Sequence, residues 1–143
     1  MTPVTPRRIE FEELITVLIS EHIEIKKKLA DIKQSVSCRD FSTAAKSLGQ
    51  LDLLFRQHIA DEEAQVLGLL IRTLGVKGAE AEIQVFRQHR PIYQLMQKVG
   101  ELAGMSAGEL ESKQAELDAL FEAHTKAEEE RVFPKAKAMN EQN

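Results

Sequence analysis

Apolar residues recur every three or four positions along four stretches of this chain, the spacing that lines one face of an α-helix. The first stripe runs Phe11, Ile15, Leu18, His22, Ile25, Leu29, Ile32 and Val36, and the second Leu48, Leu51, Phe55, His58, Glu62, Val66 and Leu69. The third is Phe86, His89, Ile92, Met96 and Val99, and the fourth Leu117, Phe121, His124, Glu128 and Val132. Helix breakers set the limits. Pro6 fits only a helix start and Ser37-Cys38-Arg39-Asp40 reads as a turn, which predicts a first helix over about residues 7–36. Asp40 can cap a second helix over about 41–74, and Gly75 and Gly78 bracket the connection that follows. The third helix is expected over about 79–103, closed by Gly104, and Ser106-x-x-Glu109 has the form of a capping box opening a fourth over about 107–139. No stretch alternates in polarity as a strand does. The expected fold is therefore all-α, an up-down-up-down antiparallel four-helix bundle.

Six polar side chains interrupt these stripes: His22, His58, Glu62, His89, His124 and Glu128. Buried without partners, such groups cost on the order of 1–3 kcal/mol each, and an isolated carboxylate costs more. Each histidine falls near the middle of its predicted helix, so an antiparallel bundle brings all four to one level. Residues four apart share a helical face, with Cβ atoms about 5–6 Å apart, so the pairs His58/Glu62 and His124/Glu128 can each reach one ion or two adjacent ions. The competing account is a set of core histidines satisfied by neighbouring carboxylates. A repeat favours the metal: Leu-Phe-x-x-His-x-x-x-Glu-Glu-x-x-Val occurs at Leu54–Val66 and again at Leu120–Val132, offset by 66 positions. His22-x-x-Ile25 recurs as His89-x-x-Ile92 at an offset of 67. Two helical hairpins, each giving one histidine from its first helix and a His/Glu pair from its second, account for both offsets. Glu63, Glu129 and Glu130 rotate away from the stripes and are expected to be solvated.

With 143 residues, 43% of them hydrophobic and 29% charged, the chain suits one domain with one well-buried core. A net charge of −4 and a pI near 5.6 give no footprint for nucleic acid or for an anionic membrane. Lys26-Lys27-Lys28, the only basic cluster, reads as the solvent face of a helix. Cys38 is the only cysteine, so no intrachain disulfide can form, and it is expected to be an inert loop residue. No run of 18 apolar residues and no signal-peptide pattern occur, so a cytoplasmic location is expected.

These residues resemble the hemerythrin-like family, also called HHE cation-binding domains, over nearly the whole chain. Even Phe133-Pro134, after Glu128-Glu129, looks like that family's His-x-x-x-Glu-Glu followed by Phe-Pro. The resemblance implies a non-haem di-iron centre, two iron ions with an oxo or hydroxo bridge. It implies that His22 and His58 ligate one iron, His89 and His124 the other, and that Glu62 and Glu128 bridge them. Imidazole and carboxylate suit iron, and the absence of thiolates argues against a structural zinc site.

The sequence departs from the oxygen-carrying members of that family, which have a second histidine four residues after the first on the third helix. Tyr93 stands there instead, either as a core aromatic or as a hydrogen-bond donor, redox-active group or ligand at the centre. Those members also place an acidic residue five positions after the last histidine. Here Glu128 repeats the spacing of Glu62, and a slip of one residue would select Glu129. Pro91 is expected to kink the third helix beside His89, by removing a hydrogen bond to the carbonyl of Arg87. The resemblance leaves three classes of function: binding or sensing of oxygen or nitric oxide, a di-iron enzyme acting on peroxide or nitric oxide, and iron storage, donation or sensing. A related branch that repairs iron–sulphur clusters is disfavoured, because its cysteine-containing N-terminal domain has no counterpart in this sequence. Phe55, Phe86, Phe121 and Met96 supply apolar surroundings suited to a small ligand. The surface gives no indication of oligomeric state.

Overall fold

The computed structural model describes residues 4–101 and 106–142. The expected stop at Ala103 and Gly104 lies outside them. Among the described residues helix is the only regular secondary structure, and the helices form four rods compatible with a four-helix bundle. The first rod is α1 (Phe11–Ser37). The second is α2 (Phe41–Asp61), a π-helical segment (Glu62–Leu67) and α3 (Gly68–Gly78). The third is α4 (Glu80–Phe86) followed by α5 (His89–Glu101). The fourth is α6 (Ala107–Ala127), a second π-helical segment (Glu128–Val132) and α7 (Phe133–Glu141). No helix among the described residues is long and apolar enough to cross a membrane.

Local chemistry explains most of the ends. Asp40 accepts the Thr43 amide and caps α2, and Ser106 accepts the Glu109 amide and caps α6. At Gly75 φ is +74° and ψ 168°, which ends the regular helix at Leu74 although helical hydrogen bonding resumes as far as Gly78. Arg39 takes a left-handed φ of 57° at the α1–α2 turn, where Asp40 N–H reaches the Ser35 carbonyl. Cys38 lies exposed in that turn.

Two boundaries differ from the sequence reading. The first helix begins at Phe11 rather than residue 7, because Glu10 caps it by accepting the Glu12 and Glu13 amides. The preceding segment is instead fastened to the second rod: Arg7 donates its backbone N–H and its Nε–H to Asp61, each at 2.7 Å. Gln57 and Gln65 donate to the carbonyls of Thr5 and Arg7. Near Pro91 the third rod is interrupted outright, with turns at Arg87 and Gln88 between α4 and α5. Pro91 then occupies the first turn of α5, where a missing N–H costs little.

Apolar packing forms two layers. One contains Leu14, Leu18, Val66, Leu70, Phe86, Val132 and Phe133, and the other Ile25, Leu29, Phe55, Ile92, Met96, Leu117 and Phe121. Along every rod the polar stripe residues fall between the two layers: His22 between Leu18 and Ile25, His58 and Glu62 between Phe55 and Val66, His89 between Phe86 and Ile92, and His124 and Glu128 between Phe121 and Val132.

Candidate metal centre

The π-helical segments, which begin at Glu62 and Glu128, explain how the buried stripe stays on the inner face beyond each His/Glu pair. Four residues of α-helix overshoot a full turn by about 40°, so a stripe stepping by four drifts around the rod. The wider π turn takes back that excess. His58, Glu62, Val66 and Leu70 consequently all remain buried, as do His124, Glu128, Val132 and Ala136. Both segments begin at the inward glutamate, so the sequence repeat is also a repeat of backbone geometry.

Six side chains meet in the polar layer and form two groups of four. His22, His58, Glu62 and Glu128 offer ligand atoms within 4.8 Å of one another, as do Glu62, His89, His124 and Glu128. The two glutamates belong to both groups. Inside the layer His22 Nε2 stands 3.1 Å from Glu128 Oε1, His58 Nε2 3.1 Å from Glu62 Oε2, His89 Nε2 2.9 Å from Glu62 Oε1 and His124 Nε2 3.1 Å from Glu128 Oε1. Short as these separations are, most of the atoms do not point at one another. Nε2 of His22 and of His89 and all four carboxylate oxygens of Glu62 and Glu128 are buried without a hydrogen-bond partner. Donor atoms aimed at a shared point rather than at each other fit a metal, since desolvated polar atoms otherwise remain uncompensated. Imidazole nitrogens and carboxylates without thiolate form a set suited to iron and other first-row ions.

The outer ring nitrogen of every histidine is occupied. Nδ1 of His22 donates to Glu129 at 2.7 Å, that of His58 to Glu21 at 3.0 Å, that of His89 to Glu63 at 3.4 Å, and that of His124 to the Gln88 amide oxygen at 2.9 Å. Each acceptor requires a proton on Nδ1, which leaves the Nε2 lone pair to face the centre. These partners follow the repeat. Glu129 stands 66 positions after Glu63, and Gln88 stands 67 after Glu21.

Burial opposes charging of the histidines, but contacts with Glu128 and Glu62 outweigh it and raise His22 to about 10. His58 is likewise penalised by burial yet pushed up to about 9 by Glu62 and Glu21. His89 rises well above its ordinary value against the same burial penalty, through Glu128, Glu62 and Glu63. Burial and the charge of Glu62 push Glu128 up, whereas His124, His22 and His89 outweigh them and lower it. Glu62 falls well below the usual carboxylate range because His58, His22 and His89 overcome its desolvation. A centre without metal thus holds protons where an ion would sit.

All six residues predicted from sequence come together. Glu128, rather than Glu129, faces inward. Glu130 is exposed, as expected, but Glu63 and Glu129 are not simply solvated: the widened π turns swing them against Nδ1 of His89 and His22. Tyr93 is half-buried at the edge of the Met96 layer, where its hydroxyl faces Asp52, a contact that raises its pKa. Glu21 and Gln88 were missed by stripe reasoning, although each immediately precedes a histidine in the repeat. Comparison with protein-family models, curated proteins and solved structures gave no match.

Proposed function

We propose that this chain is a non-haem di-iron protein of hemerythrin-like type that binds or turns over a small ligand, namely oxygen, nitric oxide or peroxide. The observation that carries the reading is the set of six buried, partnerless donor atoms in two groups sharing Glu62 and Glu128. On this reading the rods run up-down-up-down, His22 and His58 hold one iron, His89 and His124 hold the other, and the two glutamates bridge them. Bound there, the iron pair would supply two adjacent redox-active, Lewis-acidic positions.

The chain's own residues prepare such a site in two ways. Hydrogen bonds at Nδ1 fix each imidazole with its Nε2 inward, which lowers the reorganisation required for ligation. Aromatic rings close the layer. Phe133 stacks on His22 at 5.8 Å and Phe86 on His89 at 5.2 Å, while Phe121 and Phe55 meet the same two histidines edge-on at 6.2 and 6.3 Å. Ligand side chains no more than 5% exposed exclude bulky substrates.

Anaerobic protein loaded with ferrous iron and exposed separately to oxygen, peroxide and nitric oxide tests this function. New visible absorption with at least one of them is expected, absent from the Glu62→Ala variant. Iron that binds but responds to none would overturn the small-ligand role and leave the centre intact.

A further inference from the structure

Among the residues that accept from histidine Nδ1, the repeat that makes the two halves of the centre equivalent changes residue type at one pair of positions. Glu21 carries a carboxylate to His58 Nδ1, whereas its counterpart Gln88 carries a neutral amide to His124 Nδ1. A second difference points the same way. His22 has Glu129 at 2.7 Å, with that side chain 37% exposed, while His89 has Glu63 at 3.4 Å and 48% exposed. A third concerns anchoring. Arg7 Nη2 bonds Glu21 at 3.0 Å while the same guanidinium is held by the buried Asp61, so Glu21 is fixed from behind. The position equivalent to Asp61, 66 residues on, is Ala127, which has no charged side chain to anchor a partner for Gln88.

We infer that the two halves differ in metal affinity, and that Glu21 and Gln88 set the difference: the His22/His58 half holds its ion more tightly than the His89/His124 half. The proposal rests on reading the centre as a two-ion site. A carboxylate behind an imidazole makes its Nε2 a stronger donor and favours a cation in front of it, and an amide does so less. Both histidines of the first half have close carboxylate partners, and the second half has one distant carboxylate and one amide. Both ions share Glu62 and Glu128, so the bridging groups do not account for the difference. The first half therefore loads first and releases last, and the second is the exchangeable position.

Glu21 and Gln88 are positioning residues, and opposite substitutions separate their role from a general effect on folding. Ferrous iron titrated anaerobically into metal-free protein, in competition with a chromophoric chelator, is expected to bind in two resolved steps. Glu21→Gln should weaken the tighter step by about 10–100-fold, the range for removal of a partner behind a ligand. Gln88→Glu should strengthen the weaker step and narrow the gap. A purely structural role would weaken both. Gln88 is half-buried, so its gain of affinity remains measurable even if Glu21→Gln disturbs folding. Two ions binding with one common affinity, or Gln88→Glu leaving the weaker step unchanged, would overturn the inference while preserving the two-ion centre. No iron binding at all would overturn both.

Discussion

Glu129 accepts a hydrogen bond from His22 Nδ1 at 2.7 Å across 107 positions of sequence, and Glu63 approaches His89 Nδ1 from the other half of the chain. Each half thus braces the leading histidine of the other. The second histidines, His58 and His124, are braced from within their own halves by Glu21 and Gln88. The centre consequently requires both halves packed together, and metal binding should be coupled to folding of all four rods.

Three neighbouring glutamates should separate by position. Glu128→Ala removes a carboxylate shared by both groups and should abolish binding of the ion pair. Glu129→Ala leaves the inner donors in place and should lower affinity about 10–100-fold. Glu130→Ala, at an exposed position, should change neither. Metal content after desalting and a competition titration check the series, and equal losses from all three would contradict the assignment.

Without metal, stability should depend on pH in a defined window. His22 and His58 are raised in the folded state to about 10 and about 9, against about 6.5 when unfolded. Their contribution is fully present below about pH 6.5 and is lost as pH climbs through 9 to 10. Glu62 and Glu128 are lowered, so their contribution is present above about 4.3, the ordinary glutamate value, and lost as pH falls below it. Thermal unfolding of metal-free protein should show Tm declining between pH 7 and 10. The loaded protein should not show that decline, because metal replaces the protons. A flat metal-free profile over this range would contradict the charged cluster.

The first π-helical segment should matter more for metal than for helicity. Deleting the exposed Ala64 would remove the extra residue from the widened turn and let α-helical winding continue towards Val66. Far-UV circular dichroism should remain strongly helical while iron content falls, since Glu63 would lose its place against His89 Nδ1. Wild-type loading in the deletion variant would contradict a role for the π turn.

Tyr93→Phe should leave the centre alone. The hydroxyl faces Asp52 rather than the polar layer, so iron content and ligand-induced spectra should be unchanged, with stability lowered by no more than about 1 kcal/mol. Loss of a ligand-induced band in this variant would place Tyr93 at the reaction after all.

The helical stripes, the capping residues Asp40 and Ser106, the break at Gly75 and all six inner residues were legible in the sequence, because each leaves a periodic or local chemical mark. The π turns were not, since a stripe stepping by four looks like an ordinary helix until its drift is followed through Val66 and Leu70. For the same reason Glu63 and Glu129 read as solvated. Arg7 escaped notice because its partners, Glu21 and Asp61, lie 14 and 54 positions away and only packing brings them together.

The central claim is that six inner residues hold two metal ions between them. Metal-free protein reconstituted anaerobically with ferrous iron, desalted and assayed for iron per chain tests it most directly. The account predicts two iron ions per chain in the wild type, lost in Glu62→Ala. One ion or none in the wild type, or two retained after Glu62→Ala, would contradict it.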